Sequence, residues 1–157
     1  MDLALRRAKR ADFRTIWEAT LETVWVDLPP DERARMDRVS WERHFRSKIK
    51  PLIEGSRTEA WVAEDPSGVL VGYLLLGPGG GFLTPEEYGF IYDVWVEPSH
   101  RGKGIGRFLV SWASEWALKR GYRKIKLEVA EVNEGARRIY EGLGFERERQ
   151  HMGKRLR

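Results

Sequence analysis

Apolar residues recur along the chain at two spacings, one typical of helices and one typical of strands. The helical spacing predicts four helices, which run from Asp12 to about residue 27, from Ser40 to Pro51, from residue 105 to about residue 120, and over 134–141. The third has the clearest apolar side, made of Ile105, Phe108, Leu109, Trp112 and Trp116. Each predicted helix therefore needs a neighbouring surface on which to bury this side.

Runs rich in β-branched and aromatic residues predict strands at 3–7, 59–64, 69–76, 88–96 and 123–129. The turn sequence at 65–68 predicts that the second and third strands form an antiparallel hairpin. Residues 77–81 are four glycines and a proline, which predicts a flexible connection, and the segment after Phe145 is predicted to form a last antiparallel pair. The order of elements predicts an α/β (α+β) fold, with a mixed sheet that carries helices on both faces.

Composition places the chain among compact enzyme-sized domains. At 157 residues and 41% hydrophobic content it can bury one substantial core, so we expect a single domain over 1–157. No run approaches about 18 apolar residues and no signal peptide is recognised, so we expect a cytoplasmic protein without a membrane partner. A single asparagine, a single glutamine and 33% charged residues favour a thermophilic source.

The absence of cysteine restricts the chemistry. There is no cysteine in the chain, so neither a disulfide nor an acyl-cysteine intermediate is available. The three histidines stand far apart in sequence, without metal-ligand spacing, and no metal is expected. Any group transfer must therefore be direct or use another nucleophile.

A glycine-rich segment at 101–106 lies between a predicted strand and a predicted helix. Glycine lets the backbone approach a ligand, and the first turn of a helix has free N–H groups at the positive end of its dipole, so the segment predicts an anion site for phosphate. A dinucleotide-binding fingerprint would need a glycine where Arg107 stands, and a Walker loop would need Gly-Lys-Ser/Thr at its end. Neither pattern is present.

A second group of residues lies downstream at fixed spacing: Leu127-Glu128, Asn133, Ala136, Ile139-Tyr140 and Gly142-Leu143-Gly144-Phe145. Together with Arg101-x-x-Gly104-x-Gly106 it resembles the GNAT superfamily of N-acetyltransferases, most strongly from about Tyr88 to Phe145. The resemblance implies acetyl-CoA as cosubstrate and a mostly antiparallel central sheet, in which the strands before and after the glycine-loop helix are parallel and splay apart. It also implies cofactor-binding roles for Val94, Trp95, Val96, Arg101, Gly102, Lys103, Gly104, Ile105, Gly106, Arg107, Asn133 and Tyr140.

The net charge of +4 is unevenly distributed, because eight Lys or Arg residues and a single acid lie between Ser99 and Leu127. Such a cluster is also found where proteins bind nucleic acid. Trp112, Trp116 and Tyr122 interleave it at helical spacing, however, which is more typical of a core face than of a base-stacking surface. We therefore expect Arg101, Lys103 and Arg107 to hold the phosphates of coenzyme A, and no nucleic acid is expected.

The implied reaction needs a base for the amine and an acid for the leaving thiolate. Tyr140 stands at the family's position for the acid, although its helix also allows a purely structural tyrosine. Glu128 and Asp93 both match positions where family members carry a base, and strand alternation predicts that Asp93 shares a face with Ile91 and Trp95. Each acid could instead serve only in an ion pair. Asn133 is a candidate helix cap, a candidate anchor for the pantetheine arm, or both.

The acceptor is the least defined part of the expected reaction. The resemblance implies that it is framed by Trp25, Asp27, Trp41, His44, Phe45 and the tail around Gln150-His151-Met152. Residues 82–99 hold acids but no Lys or Arg, which favours a cationic amine, either a small molecule, a lysine side chain or a protein N-terminus. The main expectation is an acetyl-CoA-dependent N-acetyltransferase, and the alternative is a non-catalytic coenzyme A sensor. A homodimer is left open.

Overall fold

The computed structural model describes residues 2–157 and contains a five-stranded sheet whose strands follow one another in chain order. Its strands are β1 Ala4–Arg7, β2 Glu59–Glu64, β3 Leu70–Gly80, β4 Glu87–Val96 and β5 Ile125–Leu127. The helices are α1 Phe13–Asp27, α2 Pro30–Arg33, α3 Arg38–Ile53, α4 Ile105–Lys119 and α5 Glu134–Gly142.

Two apolar clusters lie on opposite faces of this sheet. Ile16 of α1 and Ile53 of α3 pack on Val62, Tyr73 and Leu75 on one face. The other cluster joins the buried side of α4 to the opposite face: Val71, Leu74, Leu76, Ile91, Ile105, Leu109, Val110, Ala113, Trp116 and Ala117. The predicted arrangement of a mixed sheet with helices on both faces is confirmed.

The first four strands pair antiparallel, whereas β4 and β5 pair parallel. The parallel pairing is short, since it runs from Gly89–Ile125 to Ile91–Leu127 and then stops. β4 continues for five residues beyond that point, as far as Val96, without β5 beside it. The two strands therefore separate, and a gap opens between the second half of β4 and the chain that follows β5.

A β-bulge in β4 decides which side chains reach this gap. Leu75 of β3 pairs with Asp93, but the next residue, Leu76, pairs with Ile91, so Tyr92 is an extra residue in the strand. Ile91 packs in the α4-side cluster, whereas Asp93 contacts α1 on the opposite face. The prediction that Asp93 and Ile91 share a face was wrong, because the extra residue interrupts the alternation.

Several other predictions need correction. Gly77 to Gly80 are not a flexible connection: they extend β3 and pair with the first half of β4. Residues 145–157 form no strand. α3 continues past Pro51 to Ile53, and its N-cap is Asp37 rather than Ser40. The predicted stop of α4 is confirmed, since Gly121 directly follows the C-cap residue and has a φ of 79°.

Among the described residues, none of the helices has both the length and the apolar character that crossing a membrane requires.

Candidate active site

The glycine-rich segment forms an exposed loop before α4 that offers free backbone donors. Gly102 and Gly104 have φ values of 75° and 83°, in the left-handed region that favours glycine, and Gly104 is the N-cap of α4. The N–H groups of residues 102–107 find no acceptor among residues 2–157; the first such bond is from Phe108 N to Gly104 O at 3.0 Å. Such a row of donors at a helix N-terminus is suited to an anion.

Positive side chains surround these donors. Arg101, Lys103 and Arg107 are all exposed. Arg120, on the same segment of chain, pairs with Glu59, whereas these three cations have no carboxylate partner among the described residues. Arg101 donates from Nε to the carbonyl of Val96 at 3.1 Å, which ties the loop to the end of β4. The loop therefore presents unneutralised positive charge beside the gap in the sheet.

Gly106 lies where the loop meets the gap. A Cβ at this position would lie 3.6 Å from Ile139 of α5 and 3.8 Å from Val96 of β4, both ordinary contact distances. Its φ is not positive, so neither the backbone nor the packing requires glycine here. Glycine keeps open the space between β4 and α5, at the mouth of the gap, which is the space that an arm extending from the anion site would occupy.

Asp93 lies on β4 beside this gap, with its carboxylate held by two hydroxyl groups. Thr20 of α1 donates to Oδ2 at 2.7 Å, and Tyr73 of β3 donates to the same atom at 2.8 Å. Burial raises the pKa of Asp93 above its ordinary value; the hydrogen bonds lower it in part, and the nearby charge of Asp27 raises it further. Asp93 therefore binds a proton more readily than an exposed aspartate does.

A second acid, Asp27, ends α1 near the same place. Burial raises the pKa of Asp27, while a hydrogen bond from the side chain of Asn133 lowers it in part. Asn133 is also the N-cap of α5, where its Oδ1 accepts from Ala136 N at 3.2 Å. Asn133 thus begins α5 with its oxygen, and it lies near enough to the end of α1 to lower the pKa of Asp27 in part.

Tyr140 reaches the gap from α5. Its ring packs against the α4-side cluster, and its hydroxyl has no hydrogen-bond partner among the described residues. Burial, followed by the charges of Asp93 and Asp27, raises the pKa of Tyr140 to about 12. The hydroxyl is therefore protonated at neutral pH and close enough to both acids to be affected by their charge.

Asp93, Asn133, Tyr140 and the glycine loop thus lie around the gap, with Val94, Trp95 and Val96 along its β4 side.

Glu128 lies apart from these residues. It follows the last residue of β5 and its side chain is exposed. Glu128 lies at the solvent-facing end of the other strand.

The expected acceptor frame is only partly assembled. Trp25 and Trp41 pack together at 5.0 Å between ring centroids, and Phe45 stacks on Trp41 at 5.2 Å, so these rings contact one another. His44 and the tail at 150–152 are exposed. Among residues 2–157, no group of acids and histidines is arranged to hold a metal ion.

Sequence reasoning missed Thr20 and Tyr73 as partners of Asp93, and it gave Asp27 no individual role. Thr20 and Tyr73 lie 73 and 20 residues from Asp93 in sequence. One feature of the sequence could have indicated a partner for Asp93: Thr20 is polar, whereas the other residues on its side of α1 are apolar.

Comparison with known proteins shows related sequences. The chain is 47% identical over 92 residues to streptothricin acetyltransferase of Streptomyces lavendulae, covering 59% of this chain and 47% of that protein. It is 28% identical over 149 residues to the L-methionine sulfoximine/L-methionine sulfone acetyltransferase of Salmonella typhimurium, covering 91% of this chain and 80% of that protein. For four of the relatives, the chain spans only 28% to 47% of their length.

The fold also has solved counterparts. The structure of AAC(6')-Iy in complex with the bisubstrate analogue CoA-S-monomethyl-acetylneamine superposes with a TM-score of 0.67 at 16% identity, over 100% of this chain and 99% of that one. At this identity the likeness concerns the fold alone. Residues 17–145 match the acetyltransferase (GNAT) family. Because this match covers most of the chain, the protein belongs to the GNAT acetyltransferase family.

Proposed function

We propose that the protein is an N-acetyltransferase that moves the acetyl group of acetyl-CoA directly to a primary amine. One observation carries the proposal: the unpartnered N–H groups of residues 102–107 lie at one end of a gap that has Asp93 and Tyr140 along it. Acetyl transfer from acetyl-CoA needs an anion site for the phosphates, an open channel for the arm and two groups suited to proton transfer. Membership of the GNAT family supports the same activity.

The glycine loop would bind the phosphates of acetyl-CoA. The free amides of residues 102–107 would accept the pyrophosphate, and Arg101, Lys103 and Arg107 would add charge. The pantetheine arm would then pass between Val96 and Ile139, where Gly106 leaves room. Backbone groups of Val94 and Trp95 would face the arm and the thioester carbonyl, where a backbone donor can stabilise the developing oxyanion.

Asp93 is the base that we favour. An acceptor amine with a pKa of about 10.4 is mostly protonated at neutral pH and must lose a proton before it can attack the thioester. Asp93 lies in the gap and its pKa is raised toward the range useful for a base, whereas Glu128 is exposed. Glu128 stays a second candidate, and a water molecule is a third.

Tyr140 is the acid that we favour for the leaving group. When the tetrahedral intermediate collapses, the C–S bond breaks and the sulfur takes the electron pair and needs a proton. The Tyr140 hydroxyl is protonated, is reached from the gap and has no hydrogen-bond partner among residues 2–157. The ammonium loses two protons in all: the first passes through the base to solvent, and the second, lost as the amide forms, restores the Tyr140 hydroxyl, so the net reaction releases one proton for each ammonium acetylated.

For the acceptor we propose a small amine before a lysine side chain or a protein N-terminus. Two relatives support this preference for a small acceptor, since one is named for streptothricin and the other for L-methionine sulfoximine.

Composition supports three further proposals: a cytoplasmic location, a heat-adapted source and a single domain over residues 1–157. A homodimer is a fourth possibility that composition does not address.

The test is thiol release from acetyl-CoA across a panel of small primary amines, a lysine peptide and a peptide with a free N-terminus. We expect amine-dependent release with at least one small amine. Tight acetyl-CoA binding without release for any member would favour the alternative, a coenzyme A sensor. The presence of both Asp93 and Tyr140 at the gap favours the enzyme.

A further inference from the structure

The two carboxylate oxygens of Asp93 lie in different environments. Oδ2 accepts from Thr20 at 2.7 Å and from Tyr73 at 2.8 Å, and these donors are only 2% and 0% exposed. Oδ1 accepts no side-chain hydrogen bond among residues 2–157. Oδ1 is not buried either, because the only buried side-chain nitrogen or oxygen without a partner in those residues is Nε of Arg137. The protein therefore occupies Oδ2, whereas a ligand can reach Oδ1.

The hydrogens of the two hydroxyl groups are both needed at Oδ2. The hydroxyl oxygens of Thr20 and Tyr73 are 2.9 Å apart, close enough for a hydrogen bond between them. Each hydroxyl has a single hydrogen, however, so two hydrogens serve three contacts while Asp93 is ionised. A hydrogen bond to a carboxylate is roughly twice as strong as one between neutral groups, so both hydrogens point to Oδ2. The arrangement therefore favours the charged carboxylate and leaves Oδ1 free.

Three other titratable groups act near this carboxylate. The charge of Asp27 raises the pKa of Asp93, in addition to the effect of burial, whereas the N–H of Val94 lowers it. Burial raises the pKa of Tyr140 to about 12 and holds the pKa of Tyr73 well above its ordinary value. Both phenols therefore keep their protons from about pH 5 to about pH 9. Within this range Asp27 is the one neighbour whose own titration has to be followed.

We propose that Thr20 and Tyr73 are positioning residues that make Oδ1 of Asp93 the atom that takes the proton of the acceptor amine, a role that rests on the N-acetyltransferase function proposed above. Their hydrogen bonds hold Oδ2 toward the core and turn Oδ1 toward the gap. One N–H bond of the ammonium breaks and an O–H bond forms at Oδ1, while the nitrogen keeps the electron pair with which it attacks the thioester. The proton leaves Oδ1 for solvent before the next turnover.

The same hydroxyl groups set the pH range in which Oδ1 acts as a base. Each bond to Oδ2 stabilises the charged carboxylate, so it keeps the pKa of Asp93 below the value that burial alone would give. Loss of either hydroxyl should raise this pKa. Asp93 would then stay protonated, and inactive as a base, up to a higher pH.

Conservative variants on two different elements test this role. Thr20→Val on α1 and Tyr73→Phe on β3 each keep the shape of the side chain and remove one hydroxyl, whereas Thr20→Ser keeps the hydroxyl. Tyr92→Phe is the matched control, because Tyr92 adjoins Asp93 in β4 but its hydroxyl donates to the carbonyl of Pro78 at 2.6 Å. Circular dichroism checks that each variant folds.

Two measurements are made on every variant. The first is kcat and KM for the best amine of the panel as a function of pH, with calorimetry for acetyl-CoA. The second is an NMR titration of isotope-labelled aspartate carboxyl groups, in which Asp93→Asn and Asp27→Asn identify the two relevant signals. The titration needs no turnover, so it reports on Asp93 independently of acetyl transfer.

We expect Thr20→Val and Tyr73→Phe each to raise the titration midpoint of Asp93 by about one pH unit, the scale for loss of a hydrogen bond to a charged group. Below that midpoint kcat/KM should fall by about tenfold, and at high pH it should return toward the parent value. Acetyl-CoA affinity should not change, and Thr20→Ser and Tyr92→Phe should match the parent. A merely structural role would lower kcat/KM equally at every pH.

The outcomes distinguish this role from the proposed function. Unchanged midpoints of Asp93 in both hydroxyl variants would overturn the role of Thr20 and Tyr73 and leave acetyl transfer standing. Raised midpoints without a matching shift of the pH profile would also overturn it, because Asp93 would then not be the base. If the parent acetylates no amine of the panel, the proposed function fails and this role fails with it, whatever the titration shows.

Discussion

The hydroxyl of Tyr73 donates to Oδ2 of Asp93 at 2.8 Å, which joins the core of the sheet to the candidate site. Tyr73 is fully buried, so it has little freedom to move. Thr20 donates to the same oxygen from α1, and the Thr20 and Tyr73 hydroxyls are 2.9 Å apart. Two rigid donors on one oxygen hold the carboxylate in a fixed orientation at the edge of the gap, as a group that must meet a substrate atom requires.

Removing the hydroxyl of Tyr140 tests its role as the acid. Tyr140→Phe keeps the ring that packs beside Phe145 and removes the proton donor. We expect turnover to fall by about 10²-fold, the common scale for loss of a general acid, while acetyl-CoA affinity stays within severalfold. The measurement is kcat on an acceptor for which chemistry limits the rate, with calorimetry for binding. Unchanged turnover would leave Tyr140 a packing residue.

Asp93→Asn and Glu128→Gln form a matched pair for the base. Asp93→Asn should lower kcat/KM at neutral pH by about 10²-fold or more, and the loss should shrink as pH rises, because more of the amine is then already neutral. Glu128→Gln should remain within about twofold of the parent, since Glu128 is exposed at the end of β5. pH profiles of the two variants decide between them. Two profiles equal to that of the parent would assign deprotonation to water.

The raised pKa of Asp93 also predicts how stability depends on pH. Between the ordinary aspartate pKa and the raised folded value, the folded protein holds more protons than the unfolded chain. The free energy of unfolding therefore falls as pH rises through this window, and the loss is complete above the folded pKa. Asp93→Asn removes the ionisable group and with it this loss of unfolding free energy. The Tm of Asp93→Asn should therefore exceed that of the parent by a few degrees at about pH 8, and the difference should be smaller at about pH 3.5. A lower Tm than the parent at both pH values would contradict the raised pKa.

Gly106 and Gly135 provide a controlled test of the gap. Each is the second residue of its helix and has no positive φ, but a Cβ on Gly106 would face Val96 and Ile139, whereas a Cβ on Gly135 would face open space. We expect Gly106→Val to weaken acetyl-CoA binding by about 10²-fold or more and Gly135→Val to leave it near the parent value. Circular dichroism checks that both variants fold. Equal affinities would place the arm elsewhere. Gly104→Val is a poorer test, because the φ of 83° strains any β-branched residue even without ligand.

The elements that sequence predicted well are those specified by local spacing. α4 and its loop follow from apolar periodicity and from glycines at positions that need positive φ or a clear approach. The glycines at 77–80 were misassigned because glycine has low strand propensity, yet in the sheet they leave room for the rings of β4. A Cβ on Gly79 would come within 2.6 Å of the Tyr88 ring. The pairing of these glycines with the first half of β4 depends on the neighbouring rings and has no signal in the glycine segment itself.

The bulge at Tyr92 and the position of Asp27 were beyond sequence reasoning for a related reason. A bulge shifts the strand register by one residue and changes which side chains share a face, but no residue type in β4 requires it. Asp27 comes near Asn133 and raises the pKa of Asp93 only when α1 packs on the sheet. Motif spacing could find Asn133 and Tyr140 individually, whereas the two hydroxyl groups that hold Asp93 approach it only in the folded chain.

The most direct test of the central claim, that the glycine loop and the Asp93–Tyr140 gap form one active site for acetyl transfer, is mass spectrometry of the products. The parent is incubated with acetyl-CoA and the best amine of the panel, beside Gly106→Val and Asp93→Asn. We predict that the parent forms acetylated amine and coenzyme A in equal amounts, that Gly106→Val forms little of either, and that Asp93→Asn recovers product as pH rises. Coenzyme A release by the parent without acetylated amine, or equal product from all three proteins, would contradict the account.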